Sequence, residues 1–373
     1  MSSLSDFIGG GGGGGGGWSP DVLFFSTSGT YYFPKDGTVS IYCIGAGGGG
    51  GAANANFKAA ATGGGAGGTA IKSSIAVTRN DALIVALGAG GTGGAPGNAG
   101  GASTVNSNTL SVALTANGGN GGNHSTALGT QSGANGGTGS GGDIHYTGGG
   151  SGSATPGNNT KAATGGGAVG LWRDGFSSGN ATVGNTTSVH SASGGAGIGG
   201  GTPDVGDSEY SNGGSAFRAG TKHDYVNFTF PDTYYSANFN TDDYAYGLGG
   251  GNPPIPAFHT NTVSSNAILG SFEAKVDLFS SGGGGAGDAA SSASKNLAMS
   301  HGKIGGGGGA GTSGYGMANA LGGGGAIITP SNTVWAGAAI AGGGGGGLAS
   351  TNNPPADFSA YGGQGLVIIF YEG

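Results

Sequence analysis

Alternating hydrophobic and polar positions near the amino-terminal end of the chain predict β-strands. Residues 22–44 contain three short runs rich in β-branched and aromatic residues, separated by turn signals at 28–29 and 34–37. In the third run, residues 38–43, apolar and polar side chains alternate, which is the period of a half-buried strand. This part of the chain is therefore predicted to be β-structure.

The carboxyl-terminal end carries a second strong strand signal. Residues 366–371 form a dense apolar run that is too short for a helix and rich in β-branched and aromatic side chains. We expect this terminal strand to pair with the strand at 39–44, so that the middle of the chain is a long excursion between two neighbours.

Further strands are predicted at 71–78 and 83–87, joined by a hairpin turn at 79–81, and over 109–116. No window of the sequence combines helical periodicity with caps at both ends. The nearest approach to a helix is residues 288–299, where the pattern is weak. The predicted fold class is all-β.

Glycine dominates what remains, with 97 of 373 residues. The glycines occur in blocks, at 9–17, 47–51, 282–285, 305–309, 322–325 and 342–347. Collagen needs glycine at every third position with abundant proline, and this chain has only 12 prolines. We predict instead that the blocks adopt extended polyglycine II helices, three residues per turn, which pack as a bundle because each N–H remains available for lateral hydrogen bonds.

Disorder and flexible linkers are two alternatives that would also account for the glycine content. Glycine and proline together exceed the level that usually marks low complexity, which favours disorder. Flexible linkers are also glycine-rich, although linkers join folded modules and do not normally recur along most of a chain.

Composition argues against several functional classes. Only 8% of residues are charged, the net charge is −7, and no Lys/Arg cluster occurs, so nucleic-acid binding is not expected. No apolar run reaches 18 residues, so no membrane span is expected. The first eight residues lack the basic and apolar regions of a secretion signal.

The sequence offers no pattern for catalysis or for a metal or cofactor. The six histidines are scattered without ligand spacing. Asp242 and Asp243 are adjacent, so in an extended segment they face opposite ways and do not form a two-carboxylate site. Cys43 lies among hydrophobic neighbours and is predicted to be a buried thiol. We expect a protein that is not an enzyme.

Residues 204–280 differ from the rest because they hold 13 of the 31 aromatic residues and half of the acidic ones. Tyrosine among short polar residues is typical of adaptable recognition loops. The alternative is an inserted β-module whose aromatic side chains form its own core. On the first interpretation, the receptor-contacting residues here are Tyr210, Tyr225, Tyr234, Tyr235, Asp242, Asp243, Tyr244 and Tyr246.

A second candidate for recognition is the dipeptide Trp172-Arg173, which interrupts a polar stretch of the chain. Exposed tryptophan beside arginine is typical of binding hot spots. A buried anchor that ties a loop to the glycine bundle is the alternative. Trp335, with nearby isoleucines, is interpreted as packing.

Both ends of the chain resemble those of a known family. The stretch YYFPKDGTVSIYCIGAGGGGGA resembles the recurrent start of glycine-rich phage tail proteins, and GGQGLVIIFYEG resembles their usual end. The block pattern is similar to that of the receptor-binding adhesins of T-even-type phages, in which glycine-rich motifs alternate with variable loops on a sandwich of polyglycine helices. The resemblance implies a non-catalytic tail-fibre or tail-tip adhesin that binds a host polysaccharide or outer-membrane protein.

The same resemblance implies a location and partners. We expect a virion protein, made in the host cytoplasm and docked on other tail proteins. A homotrimer is favoured because intersubunit packing would cover open strand edges, with a single chain as the alternative. Three apolar residues near the amino-terminal glycine run are expected to anchor the chain to the virion: Phe7, Ile8 and Trp18.

The expected organisation has five parts. They are an attachment peptide (1–18), a β-sandwich with the first glycine blocks (19–125), a glycine bundle with loops (126–203), the aromatic and acidic insert (204–280), and a glycine bundle that returns to the terminal strand (281–373). The amino- and carboxyl-terminal strands share one sheet, and the loops between blocks form the distal surface.

Two further functions are compatible with the sequence. A structural glycine-helix protein, either a tail spacer or an ice-binding protein, would present a regular face of small residues. A polysaccharide depolymerase would need a carboxylate pair from distant loops, such as Asp224 and Glu273.

Overall fold

The computed structural model describes 12 segments of the chain, and most of the described residues lie among the first 207. These segments are 22–54, 58–184, 187–197, 200–207, 209–211, 222–224, 287–288, 306–307, 311–312, 342–346, 348–350 and 361–372. Within them the only regular elements are β-strands, which agrees with the predicted all-β class.

Two antiparallel five-stranded sheets form a sandwich. The first sheet has the spatial order β1 (Val22–Phe25), β22 (Leu366–Glu372), β3 (Gly37–Ile44), β6 (Thr69–Val77) and β12 (Ile144–Tyr146). The second has the order β11 (Gly139–Ser140), β9 (Val112–Ala116), β8 (Ser103–Ser107), β7 (Ala82–Ala86) and β2 (Gly29–Tyr32). The predicted pairing of the terminal strand with the 39–44 strand is confirmed, since β22 runs antiparallel to β3.

The facing sides of the two sheets share one hydrophobic core. The first sheet contributes side chains such as Val39, Ile41 and Ile369, and the second contributes Leu83 and Leu114. All five of these residues are fully buried. This core is the main side-chain packing in the described part of the chain, and it depends on the period-two alternation of the strands.

The predicted hairpin at 79–81 is wrong, although both of its strands exist. β6 belongs to the first sheet and β7 to the second, so the turn between them crosses from one layer to the other. The Asp81 carboxylate accepts hydrogen bonds from the N–H and hydroxyl of Thr78, and Asn80 has a φ of 73°. Alternation shows that each strand has one buried face but does not show whether the two strands pair or face each other across the core.

Cys43 lies in the sandwich core, as predicted, and is fully buried. Burial raises the pKa of its thiol to about 12, with a hydrogen bond to the Ala116 backbone acting in the opposite direction. The thiol therefore stays protonated at neutral pH.

The glycine-rich segments begin where the sandwich strands end. β3 is followed by the segment 45–51, and β6 is preceded by the segment 62–68. Antiparallel neighbours alternate in direction, so a strand that is followed by a glycine-rich segment lies beside one that is preceded by such a segment. All of these strand ends therefore lie at the same end of the sandwich. The glycine-rich segments therefore continue the sandwich along its strand axis.

Backbone hydrogen bonds between these segments recur at every third residue. The N–H groups of the segment 45–51 donate to the segment 62–68 in the pairs Gly45 to Gly68, Gly48 to Gly65, and Gly51 to Thr62. The residues between these donors bond to different neighbours, Gly47 to Gly363 and Gly49 to Asn98. Successive N–H groups of one segment therefore point in three different directions.

Each of the two central segments is surrounded by others. The segment 45–51 is hydrogen-bonded to six neighbouring segments: 62–68, 88–94, 97–102, 117–123, 342–346 and 361–365. The segment 62–68 is bonded to 45–51, 117–123, 133–138, 147–153, 164–170 and 342–346. The buried polar backbone of the interior is thus paired through lateral bonds.

Short strands lie at the far ends of the glycine-rich segments. A six-stranded mixed sheet has the order β10 (His124–Ser125), β5 (Ala59–Ala61), β14 (Asn159–Ala163), β16 (Thr187–Ala192), β17 (Glu209–Ser211) and β18 (Lys222–Asp224). A parallel sheet has the order β19 (Gly287–Asp288), β20 (Gly311–Thr312), β21 (Leu348–Ser350) and β4 (Ala52–Asn54), and β13 (Ala154–Thr155) pairs with β15 (Ala181–Thr182).

The close approach of the segments explains why glycine is needed in the interior. A Cβ atom at Gly65 would collide with the backbone carbonyl of Asn135, and one at Gly64 would collide with that of Gly48. Backbone atoms cannot rotate away as side-chain atoms can. At these two positions the spacing of the segments therefore leaves no space for a methyl group, whereas the buried Ala46 and Ala66 lie at positions in the same two segments that accommodate one.

We predict that Gly65→Ala lowers the free energy of unfolding by about 1–3 kcal/mol or more. This is the cost typical of overpacking, and it is not relieved here because the obstructing atom belongs to the backbone. Gly29→Ala is the matched control, since a Cβ there meets nothing within 4 Å. Its effect should stay within about 0.5 kcal/mol. Urea unfolding of both variants measures the difference, and equal effects would contradict the packing argument.

Candidate functional site

The segment 170–176, here called the Trp172 turn, connects two glycine-rich segments at the end nearest the sandwich. Leu171 is 6% exposed and is buried in a cluster on the outer face of the first sheet, together with Ile44 and Ile368. Trp172, the next residue, is 53% exposed. The residue that anchors this turn is therefore Leu171, and the tryptophan side chain faces solvent.

Hydrogen bonds fix the backbone of the Trp172 turn. Thr147 donates its N–H to Asp174 Oδ1 at 2.8 Å, and its carbonyl accepts the N–H of Gly175 at 2.7 Å. The Thr69 hydroxyl donates to the Gly170 carbonyl at 2.6 Å. Since three contacts to two different parts of the chain hold the turn, Trp172 is presented on a preorganised backbone.

Arg173 lies beside Trp172 and is also exposed. Its guanidinium carbon is 4.6 Å from the centre of the Phe176 ring, a cation–π contact that holds the planar group against the turn. Gly170 is required here because a Cβ would lie 3.0 Å from the Cβ of Tyr146 and would collide with the Arg173 carbonyl. The turn is therefore packed against the end of β12.

An aromatic face lies next to the Trp172 turn, on the outer side of the first sheet. Phe24, Tyr42 and Phe370 are partly buried there and pack against the cluster that contains Leu171. The rings of Tyr42 and Phe370 meet edge to face, with centroids 5.3 Å apart. Burial raises the pKa of the Tyr42 hydroxyl, with smaller contributions from Tyr146 and Glu372.

A family comparison supports the glycine-rich character of the chain. The model of a family described as a glycine-rich domain matches residues 24–254, more than half of the sequence. The chain belongs to the glycine-rich domain family. No curated protein matches its sequence. The family is described by its composition, and that description names no function for this glycine-rich domain.

The structure separates the two groups of predicted recognition residues in this glycine-rich domain. Trp172 and Arg173 lie at the sandwich end of the glycine-rich segments. Tyr210 lies in β17, in the sheet at their far end, where its backbone pairs with His223. The two groups of residues therefore lie at opposite ends of the glycine-rich segments.

The remaining predicted site residues lie outside the described segments, and their roles stay predictions. They are Tyr225, Tyr234, Tyr235, Asp242, Asp243, Tyr244 and Tyr246 in the insert, and Phe7, Ile8 and Trp18 near the amino-terminal glycine run. Of the carboxylate pair considered for a depolymerase, Asp224 contributes backbone pairing to β18 and Glu273 lies outside those segments.

The described residues of the glycine-rich domain hold no candidate metal centre. No group of three or more His, Cys, Asp or Glu side chains among them is close enough to hold a metal ion. In the same part of the chain, no helix is long and apolar enough to cross a membrane.

Sequence reasoning missed the aromatic face. The signal is present in the strands, because Phe24 and Tyr42 alternate with residues that point into the core, such as Phe25 and Cys43. Large side chains on both sides of one sheet indicate a second packed surface. The position of Leu171 could not be predicted, because this residue packs against the face from a distant part of the chain.

Proposed function

We propose that this protein is a non-catalytic adhesin of a bacteriophage tail fibre or tail tip, which binds a polysaccharide or an outer-membrane protein on the host surface. The observation that carries the proposal is the Trp172 turn, where an exposed tryptophan and an exposed arginine stand on a fixed backbone. Aromatic and arginine side chains of this kind dominate binding energy at interfaces. The resemblance of the chain ends to phage tail proteins supplies the biological setting.

We also propose that the glycine-rich segments are polyglycine II helices packed as a bundle. A helix with three residues per turn directs successive N–H groups to three sides, which accounts for the three-residue step of the hydrogen bonds. Six neighbours around one segment fit the packing of parallel rods. In the virion, such a bundle would act as a stiff spacer between the sandwich and the loops at the far end.

Removal of the Trp172 side chain tests the adhesin proposal. We expect Trp172→Ala to reduce binding of the purified protein to susceptible bacterial cells by at least tenfold, since hot-spot residues cost about 1.4 kcal/mol or more. Leu128→Ala is the control, because Leu128 is 50% exposed and lies outside the turn. Fluorescent protein and flow cytometry provide the measurement.

A variant without residues 225–280 serves as the second arm of this experiment, because it removes most of the aromatic insert. Binding that survives Trp172→Ala but is lost in the deletion would move the receptor contact to the insert. Failure of the unmodified protein to bind any susceptible strain would reject the adhesin function itself.

A homotrimer is proposed as the assembly. The outer face of the second sheet exposes two large apolar side chains, Tyr32 at 62% and Ile84 at 57%, on adjacent strands. β2 is also an open edge of that sheet. Packing of three copies through this face would cover both the apolar residues and the edge.

We predict that the protein sediments with three times the mass of a single chain. Ile84→Lys should dissociate it, because a charge buried in an apolar interface is strongly unfavourable. Leu128→Lys, which places the same charge on an exposed apolar position elsewhere, should leave the trimer intact. A monomer in sedimentation equilibrium of the unmodified protein would contradict this assembly.

One observation favours a second candidate function, a structural glycine-helix protein of the ice-binding type. The segments 117–123 and 133–138 lie side by side. Short polar side chains are exposed at every third residue over 117–123 and over 132–138. These residues are Asn117, Asn120, Asn123, Ser132, Asn135 and Thr138. A regular face of small residues is the feature expected for that class.

Thermal hysteresis separates the two functions. For an adhesin we expect no depression of the freezing point beyond the colligative value at millimolar protein. A hysteresis gap that disappears in Asn120→Lys, which places a long charged side chain in the middle of this face, would instead establish ice binding. Asp36→Lys, on an exposed turn of the sandwich, is the control substitution.

A further inference from the structure

Arg173 is an available cation on a protein that is acidic overall. The chain has 18 acidic and 11 basic residues. Lys72, on β6, is engaged with Asp143 at 2.8 Å. Among the residues that the structure describes, no carboxylate forms an ion pair with Arg173, and the adjacent Asp174 accepts the Thr147 N–H. The guanidinium donors of Arg173 are therefore free to bind an external anion.

Trp172 and Arg173 differ from an ordinary protein-binding patch because the other large apolar side chains of the turn itself are covered. Leu171 is buried, and Phe176 is covered on one face by the Arg173 guanidinium. A stable protein interface needs about 800 Å² on each partner with an apolar centre. The turn instead offers one flat indole and one cation at adjacent positions.

We propose that the Trp172 turn binds an anionic saccharide, in which a sugar ring stacks on Trp172 and a carboxylate or phosphate group on that ring binds Arg173. This inference rests on the proposed adhesin function and names the chemical class of the ligand. Indole is the largest aromatic side chain in proteins, and its flat surface suits the apolar face of a pyranose. Guanidinium binds carboxylate and phosphate through paired N–H donors.

The Phe176 contact strengthens the anion site. The contact holds the guanidinium over the Phe176 ring, and a cation–π contact with the ring face leaves the N–H donors able to bind an anion. Because the side chain is already held, less rotamer entropy is lost when an anion binds. Phe176 is therefore a positioning residue for Arg173.

Oligogalacturonate and its methyl ester test the carboxylate form of the ligand, since they share the same ring and differ in charge. Calorimetry should show at least tenfold tighter binding of the acid, and this preference should weaken as salt rises. Phosphorylated mannan against unmodified mannan tests the phosphate form. Tighter binding of either anionic probe, lost on substitution of the turn, supports the proposal and identifies the anion.

Two substitutions separate the contributions. Arg173→Gln should remove the preference for the anionic probe and leave residual binding of the neutral one, whereas Trp172→Ala should weaken both at least tenfold. Arg79→Gln is the matched control, because it makes the same change in charge on an exposed sandwich turn. Circular dichroism of each variant checks that the fold is retained.

The outcomes distinguish this inference from the adhesin function. If no anionic probe binds better than its neutral partner, while Trp172→Ala still abolishes binding to cells, the saccharide class is wrong and the adhesin site stands. If Arg79→Gln reduces binding as much as Arg173→Gln, the effect is general electrostatics and the anion site is wrong. If the unmodified protein binds neither cells nor probes, both proposals fail.

Discussion

The structure depends on one constraint, the pairing of backbone N–H and C=O groups between glycine-rich segments that touch one another directly. A buried, unpaired peptide group costs about 1–3 kcal/mol, so segments that pack without side chains are stable only if nearly every such group finds a partner. The three-residue step meets this requirement because each segment donates to and accepts from neighbours on several sides. Glycine follows from the spacing, since a Cβ would meet a neighbouring carbonyl.

Where a hydroxyl-bearing residue replaces glycine in the interior, its side chain takes over the role of the backbone. Thr164, Ser178 and Ser193 are buried, and each donates its hydroxyl to a carbonyl of another segment and accepts an N–H from a further one. These side chains add to direct backbone bonds between the same segments, such as Gly167 to Gly64 and Ser178 to Gly150. Hydrogen bonds between polar groups therefore stabilise the interior of the glycine-rich segments, whereas burial of apolar side chains stabilises the sandwich. The change from one to the other occurs where the strands become glycine-rich.

The positions of the strands could be predicted from the sequence better than the strands with which they pair. Alternation predicted β3 and a dense apolar run predicted β22, and the expected pairing of these two strands, at opposite ends of one long excursion, is confirmed. The 79–81 turn failed because alternation reports which side of a strand is buried and not which layer the strand joins. Trp172 and Arg173 were found from composition. The surroundings that fix them include Thr147 and Thr69, which come from separate parts of the chain and carry no local signal.

The separation of scaffold from the proposed recognition surface explains how this chain can combine so much glycine with a defined, exposed turn. Segments of bare backbone have few side chains with which to recognise anything, so recognition has to be placed where segments turn. The turn at 170–176 gains order from both neighbours, because Leu171 is buried on the sandwich and Asp174 is tied to a glycine-rich segment through Thr147. Changes confined to Trp172 and Arg173 leave every one of these bonds in place. Under the proposed function, such a turn can therefore change its ligand while the segments that carry it remain the same.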